Sequence, residues 1–344
     1  MATVYEVAAL AGVSTATVSR VVHNSGLVHP DTRDRVLAVI EDLGYVPDGS
    51  AQGLSRRRKD IIGLAALERG TDEIDIEQTG PLFIDELVHA VDGVLRGTEC
   101  SLLLTFGPAG EAFERRVRTL SGKVDGLLVA EEVMPTAQLA ALARRVPVVV
   151  IAGRREEGEL DVVAVDNAAG MRALAAHLIG DHGYRRLAFL AGPADSPDAR
   201  ERLTAFSQAA SEHPGCGLDP VLGGDFSEAS GAAAASALLA LRPLPEVVVC
   251  ANDQMAIGMQ ARLQQAGVRV PGDVAVTGFD DIYPSRIVAP ALTTVSQPLR
   301  DLGRRAARRL RARIEDRDLP PRAEILPTYL TVRASCGCPP AVSP

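Results

Sequence analysis

TVYEVAALAGVSTATVSRVV, residues 3–22, is the stretch that decides the fold of the N-terminal region. Thr3 is placed to cap a helix through about Tyr5 to Ala11, whose apolar residues include Val7, Ala8 and Leu10. Gly12 interrupts that helix, and Ser14 is a good N-cap for a second one running from Thr15 to Val22. Two helices crossing closely need a small residue at the contact and one tolerant of positive φ in the turn. Ala8 and Gly12 meet both demands, and Val18 falls on the side of the second helix that faces the first. The spacing predicts a helix-turn-helix.

Working outward, a third helix is expected from Asp31 to Leu43, with Pro30 in its first turn and Gly44 at its end. Val36, Ile40 and Leu43 form its inner stripe. The chemistry of the second helix separates this arrangement from any small three-helix bundle. Its exposed side reads Ser14, Thr15, Ala16, Thr17, Ser19 and Arg20. Short hydroxyls at a helix N-terminus suit phosphate oxygens, and an arginine one turn further on can reach a guanine edge in the major groove. After Pro47 the segment DGSAQGLSRRRKD sets Leu54 beside a basic cluster that includes Arg56, Arg57, Arg58 and Lys59. Its two glycines make it a poor isolated helix, one expected to order when docked.

Residues 3–64 as a whole resemble the headpiece and hinge of the lactose/galactose repressor (LacI/GalR) family. The resemblance implies that Thr15, Ala16 and Arg20 enter the major groove. It also implies that Leu54 wedges into the minor groove at the centre of a near-palindromic operator of double-stranded DNA, gripped by a homodimer. An apolar wedge at a flexible pyrimidine–purine step kinks DNA, so the role is physically sound. The chain departs from the family pattern at Ala16, His23, His29, Asp48 and Gly53. Ala16 has no hydrogen-bonding group, so readout there is apolar, as against a thymine methyl.

The remaining chain alternates apolar strands (IIGLAAL, CSLLLTF, DGLLVA, PVVVIAG, VVAVDN, RRLAFLAG, EVVVCAND, DVAVTGFDD) with helical stretches. That alternation indicates parallel sheets covered by helices on both faces. Such sheets hold ligands at the carboxyl ends of their strands. Attention therefore goes to Asn252-Asp253, Asp280-Asp281 and the arginine-rich helix around Arg200–Arg202, residue types that suit a polar ligand or, equally, cap the following helices.

VDNAAG, HGYRRLAFLAGP, CANDQMAIGMQARLQQAGVRVPGDVAVTGFDD and LTTVSQP extend the family resemblance over essentially the whole chain. The implied fold class is an all-α helix-turn-helix headpiece (1–46), a hinge (47–60) and a periplasmic-binding-protein-like core (61–344) of two doubly wound parallel-sheet subdomains. The first subdomain is expected at about 61–164 and 295–325, the second at about 165–294 and 326–340, with crossings near Val165, Thr294 and Ile325. The implied effector contacts are Arg202, Asn252 and Asp280, with Phe226 as a ring platform and Phe83 and Gln297 at the cleft edge. The small-molecule effector implied is a sugar or sugar derivative. Ala205 stands where the family usually has Gly, and the acidic segment 68–80 is longer than usual.

Bulk properties set the exclusions. In 344 residues there are 36 Lys+Arg and 44 Asp+Glu, a formal charge of −8 that argues against non-specific coating of nucleic acid. The N-terminus lacks a signal-peptide pattern and no stretch is long and apolar enough for a membrane span, so a cytoplasmic protein is expected. A solute-binding protein for transport shares the cleft but needs export and has no use for the headpiece. No P-loop, G-x-S-x-G or H-E-x-x-H appears, so neither an enzyme nor a cofactor is expected. Cys336-Gly337-Cys338 is a lone C-x-C, one pair short of a tetrahedral site, so no metal is expected. The helix near Leu299–Arg313 carries seven arginines and reads as an amphipathic solvated face. The tail holds no leucine heptads, so a homodimer rather than a tetramer is expected.

Overall fold

A computed structural model describes residues 2–22, 26, 28–45, 58–68, 82–130, 133–153 and 160–339. The chain divides into two compact units, Met1–Lys59 and Asp60–Pro344.

The first unit is the expected helical trio: α1 (Val4–Ala11), α2 (Thr15–Val22) and α3 (Pro30–Leu43). Thr3 accepts the backbone N–H of Glu6, while the Glu6 carboxylate accepts the Thr3 N–H at 2.7 Å, a reciprocal capping box. Gly12 takes a left-handed φ of 64° and turns the chain into α2. Ser14 Oγ then accepts the Thr17 N–H at 3.2 Å and starts that helix. Val7, Ala8, Ala11, Val18, Val21 and Val36 form the buried core, with Ile40 and Leu43 packed at its margin. Leu10, also apolar, is 65% exposed, on the outer side of α1. His29 precedes α3 without a side-chain capping bond, as its replacement of a hydroxyl residue implies.

The second unit holds two six-stranded sheets. The first is ordered β11-β5-β4-β3-β1-β2 and the second β12-β10-β9-β8-β6-β7. Its strands are β1 (Ile61–Leu67), β2 (Ser101–Gly107), β3 (Gly126–Ala130), β4 (Val148–Ile151), β5 (Asp161–Val165), β6 (Arg186–Ala191), β7 (Gly217–Gly223), β8 (Val247–Cys250), β9 (Ala275–Asp280), β10 (Thr293–Ser296), β11 (Ala323–Leu326) and β12 (Tyr329–Thr331). Among the described residues every strand pairing is parallel except that of β12 with β10.

Helices cover these sheets: α4 (Leu82–Leu95), α5 (Glu111–Ser121), α6 (Thr136–Ala143), α7 (Asn167–Ala175), α8 (Pro197–Ser211), α9 (Glu228–Leu238), α10 (Asp253–Gln265), α11 (Pro284–Ile287) and α12 (Leu299–Glu315). A π-helical turn, Ala176–Asp181, continues α7. One apolar core lies on each face of the first sheet, and a single large one, including Phe189, Phe206 and Phe279, surrounds the second.

The chain leaves the first sheet after Val165, returns after Ser296 and leaves again after Leu326. The middle crossing falls later than Thr294, because Val295 and Ser296 still pair with Phe279 and Asp280 in the second sheet. A second departure concerns β2. Its apolar run reads as a strand buried on both faces, yet it sits at the sheet edge with Leu103 and Leu104 partly exposed. Edge strand β7 has alternating burial and contains Pro220, which a central strand would not tolerate.

The arginine-rich helix α12 buries Leu299 and packs Leu302, Ala306, Ala307 and Leu310 into the first sheet's core. Its arginines do more than face water. Arg309 Nε lies 2.5 Å from Asp161 Oδ1, a carboxylate 1% exposed, and Arg300 pairs with Glu86 of α4 at 2.8 Å.

Candidate functional site

On the headpiece, burial of Val18 and Val21 fixes which side of α2 faces out. Ser14, Thr15, Ala16, Ser19 and Arg20 are exposed and Thr17 is half-buried, so the residues singled out in the sequence share one accessible helix face. Ser14 Oγ and Thr17 Oγ1 lie 3.0 Å apart, which orders two of the hydroxyls at the helix start. Such a face offers short donors for phosphate oxygens and one long cation for a base edge. Leu54, Arg56 and Arg57 lie outside the described residues, as do His23, Asp48, Gly53 and all but Glu68 of the acidic 68–80 segment.

In the larger unit, sheet order predicts the ligand crevice. In the second sheet the order reverses at β8-β6-β7, and crevices in open α/β sheets form beyond the carboxyl ends of strands at such a switch point. Asn252 follows β8, Asp280 ends β9 and Gln297 follows β10, so three candidates stand at adjacent strand ends. Arg202 reaches them from α8. Its Nε donates to Asn167 Oδ1 at 2.9 Å, and its Nη1 donates to the Ala251 carbonyl at 2.8 Å and lies 3.5 Å from Asp280 Oδ1. The guanidinium carbon sits 3.7 Å over the Phe279 ring. Gln297 Nε2 donates to the same Asp280 oxygen at 2.5 Å. Asn252 joins through the backbone: its Nδ2 donates to the Phe226 carbonyl at 2.9 Å while its Oδ1 caps α10 through Met255 N–H.

Arg202, Asn252, Asp280 and Gln297 are all buried, a placement that ionic groups tolerate only when paired and hydrogen-bonded. Phe226 and Asp280 both adopt positive φ, 74° and 120°, in a region that costs a non-glycine residue about 1–3 kcal/mol. Such strain concentrates where a site dictates the backbone. Phe83 stands apart from this network, at the start of α4 and half-buried on the first sheet's core. A depression of about 600 Å³ beside β6 and β7, lined by Pro193, Leu203, Val221 and Asp225 among others, includes none of the four polar residues.

Three members of the network carried no individual signal in the sequence. Asn167 is fully buried at the start of α7 and donates to Asp198 Oδ1 and Glu201 Oε2 at 2.5 and 3.0 Å. Phe279 is the platform under Arg202, while Phe226, read as a ring platform, contributes its carbonyl. Thr294 Oγ1 donates to Asp253 Oδ1 at 2.5 Å, and Asp253 Oδ2 accepts the Ile282 N–H. Complete burial, reinforced by the neighbouring Asp280 charge, pushes the Asp253 carboxyl well above the usual carboxylate range. Asp253 thus organises the strand ends from beneath.

The sequence matches known proteins along its length. Residues 3–48 match the family described as bacterial regulatory proteins, lacI family, and residues 175–336 match a periplasmic binding protein-like domain. The HTH-type transcriptional repressor PurR of Photobacterium profundum is 32% identical over 342 residues, covering 97% of this chain and 98% of that protein. Among solved structures, the lac repressor dimer bound to operator and the anti-inducer ONPF superposes with a TM-score of 0.83 at 27% identity, covering 97% of this chain and 99% of that one. A complex of the transcriptional regulator CelR with cellobiose superposes with a TM-score of 0.70 at 34% identity, covering 97% of this chain and 100% of that one.

Proposed function

The chain belongs to the lacI family of bacterial regulatory proteins, and from that premise we propose that this DNA-binding transcription regulator is a repressor gated by a neutral sugar or sugar derivative. The observation that carries the proposal is the buried Arg202–Asp280–Gln297 cluster at the strand ends of the second sheet. A guanidinium donates to hydroxyl oxygens, a carboxylate accepts two hydroxyls, and an amide does both, so together they suit a polyhydroxylated ligand. The Arg202 charge is already balanced by Asp280, which disfavours an anion as the occupant. The likeness to a cellobiose-bound regulator supports the same chemical class.

The protein acts as a homodimer on a near-palindromic operator. The likeness to an operator-bound lac repressor dimer supports this, as do exposed Leu103 and Leu104 on β2 and Tyr283 and Ile287 beside and within α11. Thr15, Ala16 and Arg20 read the major groove, Ser14, Thr17 and Ser19 hold phosphates, and Leu54 with Arg56 and Arg57 engages the minor groove and backbone at the dyad. Asn252 shapes the pocket through Phe226, with Phe83 at its edge.

Effector binding must discriminate between two states to switch the protein. Moving a population from 1:99 to 99:1 takes about 10⁴-fold preference for one of them. Calorimetric titration of the full chain with cellobiose and other neutral sugars, beside the Arg202→Ala variant, tests the reading. Saturable heat that the variant loses supports it. Equal heat from both, or none from any sugar, removes the pocket assignment.

A further inference from the structure

The C-x-C pair near the end of the chain does not stand alone once the chain is folded. After β12 a 3-10 turn, Ala334–Cys336, lays Cys336 and Cys338 against the end of the α7 helical stretch. There His177 and His182 wait. Their positions, five apart, would diverge by about 140° around a regular α-helix. The π-helical turn narrows that divergence: the His182 N–H donates to the His177 carbonyl at 3.2 Å, an i→i+5 bond. Single π turns of this kind recur at functional sites because they re-aim side chains.

The four donor atoms converge on one point, all within 4.8 Å of one another. The two Nε2 atoms are 3.2 Å apart. Cys336 Sγ lies 3.5 Å from His177 Nε2, and Cys338 Sγ lies 3.7 and 3.3 Å from His177 and His182 Nε2. A tetrahedral zinc ion with ordinary Zn–N and Zn–S bonds needs N···N edges of about 3.3 Å and N···S edges of about 3.6 Å. Four of the six edges, one N···N and three N···S, fall within 0.3 Å of these values.

The surroundings favour a metal over a chance meeting of thiols and imidazoles. His177 Nδ1 donates to Asp181 Oδ2 at 2.9 Å, which leaves the lone pair on Nε2 and matches the carboxylate–histidine support usual behind zinc. The His182 ring stacks on Tyr184 with centroids 5.2 Å apart, and the Tyr184 hydroxyl donates to the Cys336 carbonyl at 2.8 Å. Gly337, at φ 102°, reverses the chain so that both sulfurs face the same point, and a Cβ there would come within 3.1 Å of the Tyr184 oxygen. His177 and Cys336 are buried, and His182 and Cys338 half-buried. Four protein donors with no open position describe a structural site rather than a catalytic one.

We propose that His177, His182, Cys336 and Cys338 bind one zinc ion tetrahedrally and thereby clasp the end of the chain to the second subdomain. The ion ties β12 and the turn after it to the helix whose other end carries Asn167, the partner of Arg202. Sequence reading missed the site because its halves lie 159 positions apart, counted from His177 to Cys336.

The full chain, purified under reducing conditions and without a polyhistidine tag, is to be assayed for metal by mass spectrometry, then stripped and titrated with cobalt(II). One equivalent of zinc as isolated, together with thiolate-to-cobalt charge-transfer bands and the strong d–d bands of tetrahedral cobalt, is expected. Cys338→Ser should weaken zinc binding at least about 100-fold, since even support residues behind a ligand contribute about 10–100-fold. Asp181→Asn, on a side chain 75% exposed and so no threat to folding, should weaken it by about 10-fold. No bound zinc and no cobalt–thiolate bands in the reduced wild-type chain would overturn the proposal, as would a Cys338→Ser variant that binds as tightly as wild type.

Discussion

Arg202 Nη1 and Asp280 Oδ1 lie 3.5 Å apart with both side chains 7% exposed, an ion pair closed off from water between α8 and the end of β9. Asn167, Gln297, the Ala251 carbonyl and the Phe279 ring complete its surroundings. A pair so placed costs desolvation and contributes geometry: it holds a carboxylate and a guanidinium at fixed positions beside the strand ends of the second sheet.

Arg202→Ala leaves the Asp280 charge buried without that partner. A loss of about 3–5 kcal/mol in folding stability is expected, together with loss of the effector response. Urea denaturation of the single and double variants checks it. Adding Asp280→Asn should recover more than about 1 kcal/mol, and strictly additive losses would show that the two do not act as a pair.

Arg20 and Val18 sit two positions apart on α2 and should fail differently. Arg20→Ala removes an exposed side chain, so it should cost about 1–3 kcal/mol of specific DNA affinity with no change in headpiece melting. Val18→Ala hollows the helix crossing and should cost roughly 2 kcal/mol of headpiece stability. Fluorescence anisotropy at one fixed salt concentration, beside thermal melting, separates the two effects.

Leu54→Ala should weaken operator binding while leaving effector affinity unchanged, because an apolar wedge acts only on unstacked bases. Bound duplexes selected from a random pool supply the probe. Equal affinity of the variant and wild type for that duplex would remove the wedge from the mechanism.

Asp253 gives a pH dependence of definite sign. Burial and the Asp280 charge raise its folded-state pKa well above 3.8, so the fold favours the protonated acid. The stabilisation is fully present below the unfolded pKa and is lost as pH rises through the folded one. Asp253→Asn can keep both the Thr294 and Ile282 contacts without a charge. Its stability relative to wild type should therefore grow as pH rises above 3.8. Urea midpoints measured across pH that run parallel for the two proteins would sink the idea.

Gly258→Ala reverses a usual rule. Alanine in a helix normally gains about 1 kcal/mol over glycine. Here a Cβ would come 1.9 Å from the Glu228 carbonyl, where α9 and α10 touch backbone to backbone. Overpacking of about 1–3 kcal/mol or more should outweigh the gain, and a raised melting temperature would show that the helices can part freely.

The helix-turn-helix was legible because its signals are local. Thr3, Gly12 and Ser14 punctuate neighbouring turns, and Val7, Val18 and Val36 recur at helical spacing, so backbone preference and side-chain period suffice. The alternation of apolar strands with helices set the parallel α/β class in the same way, and the strand-end rule pointed to Asn252 and Asp280. Sequence could not show that β2 lies at an edge, because an edge and a centre differ only in their neighbours. Nor could it place Asn167 and Phe279 against Arg202, or His177 and His182 beside Cys336 and Cys338. Those meetings depend on crossovers that return the chain between two sheets and on one π turn that rotates a histidine by a fraction of a circle. Local spacing determines which elements form; only the packing of distant elements, where burial compels each polar group to find a partner, decides which side chains share a site.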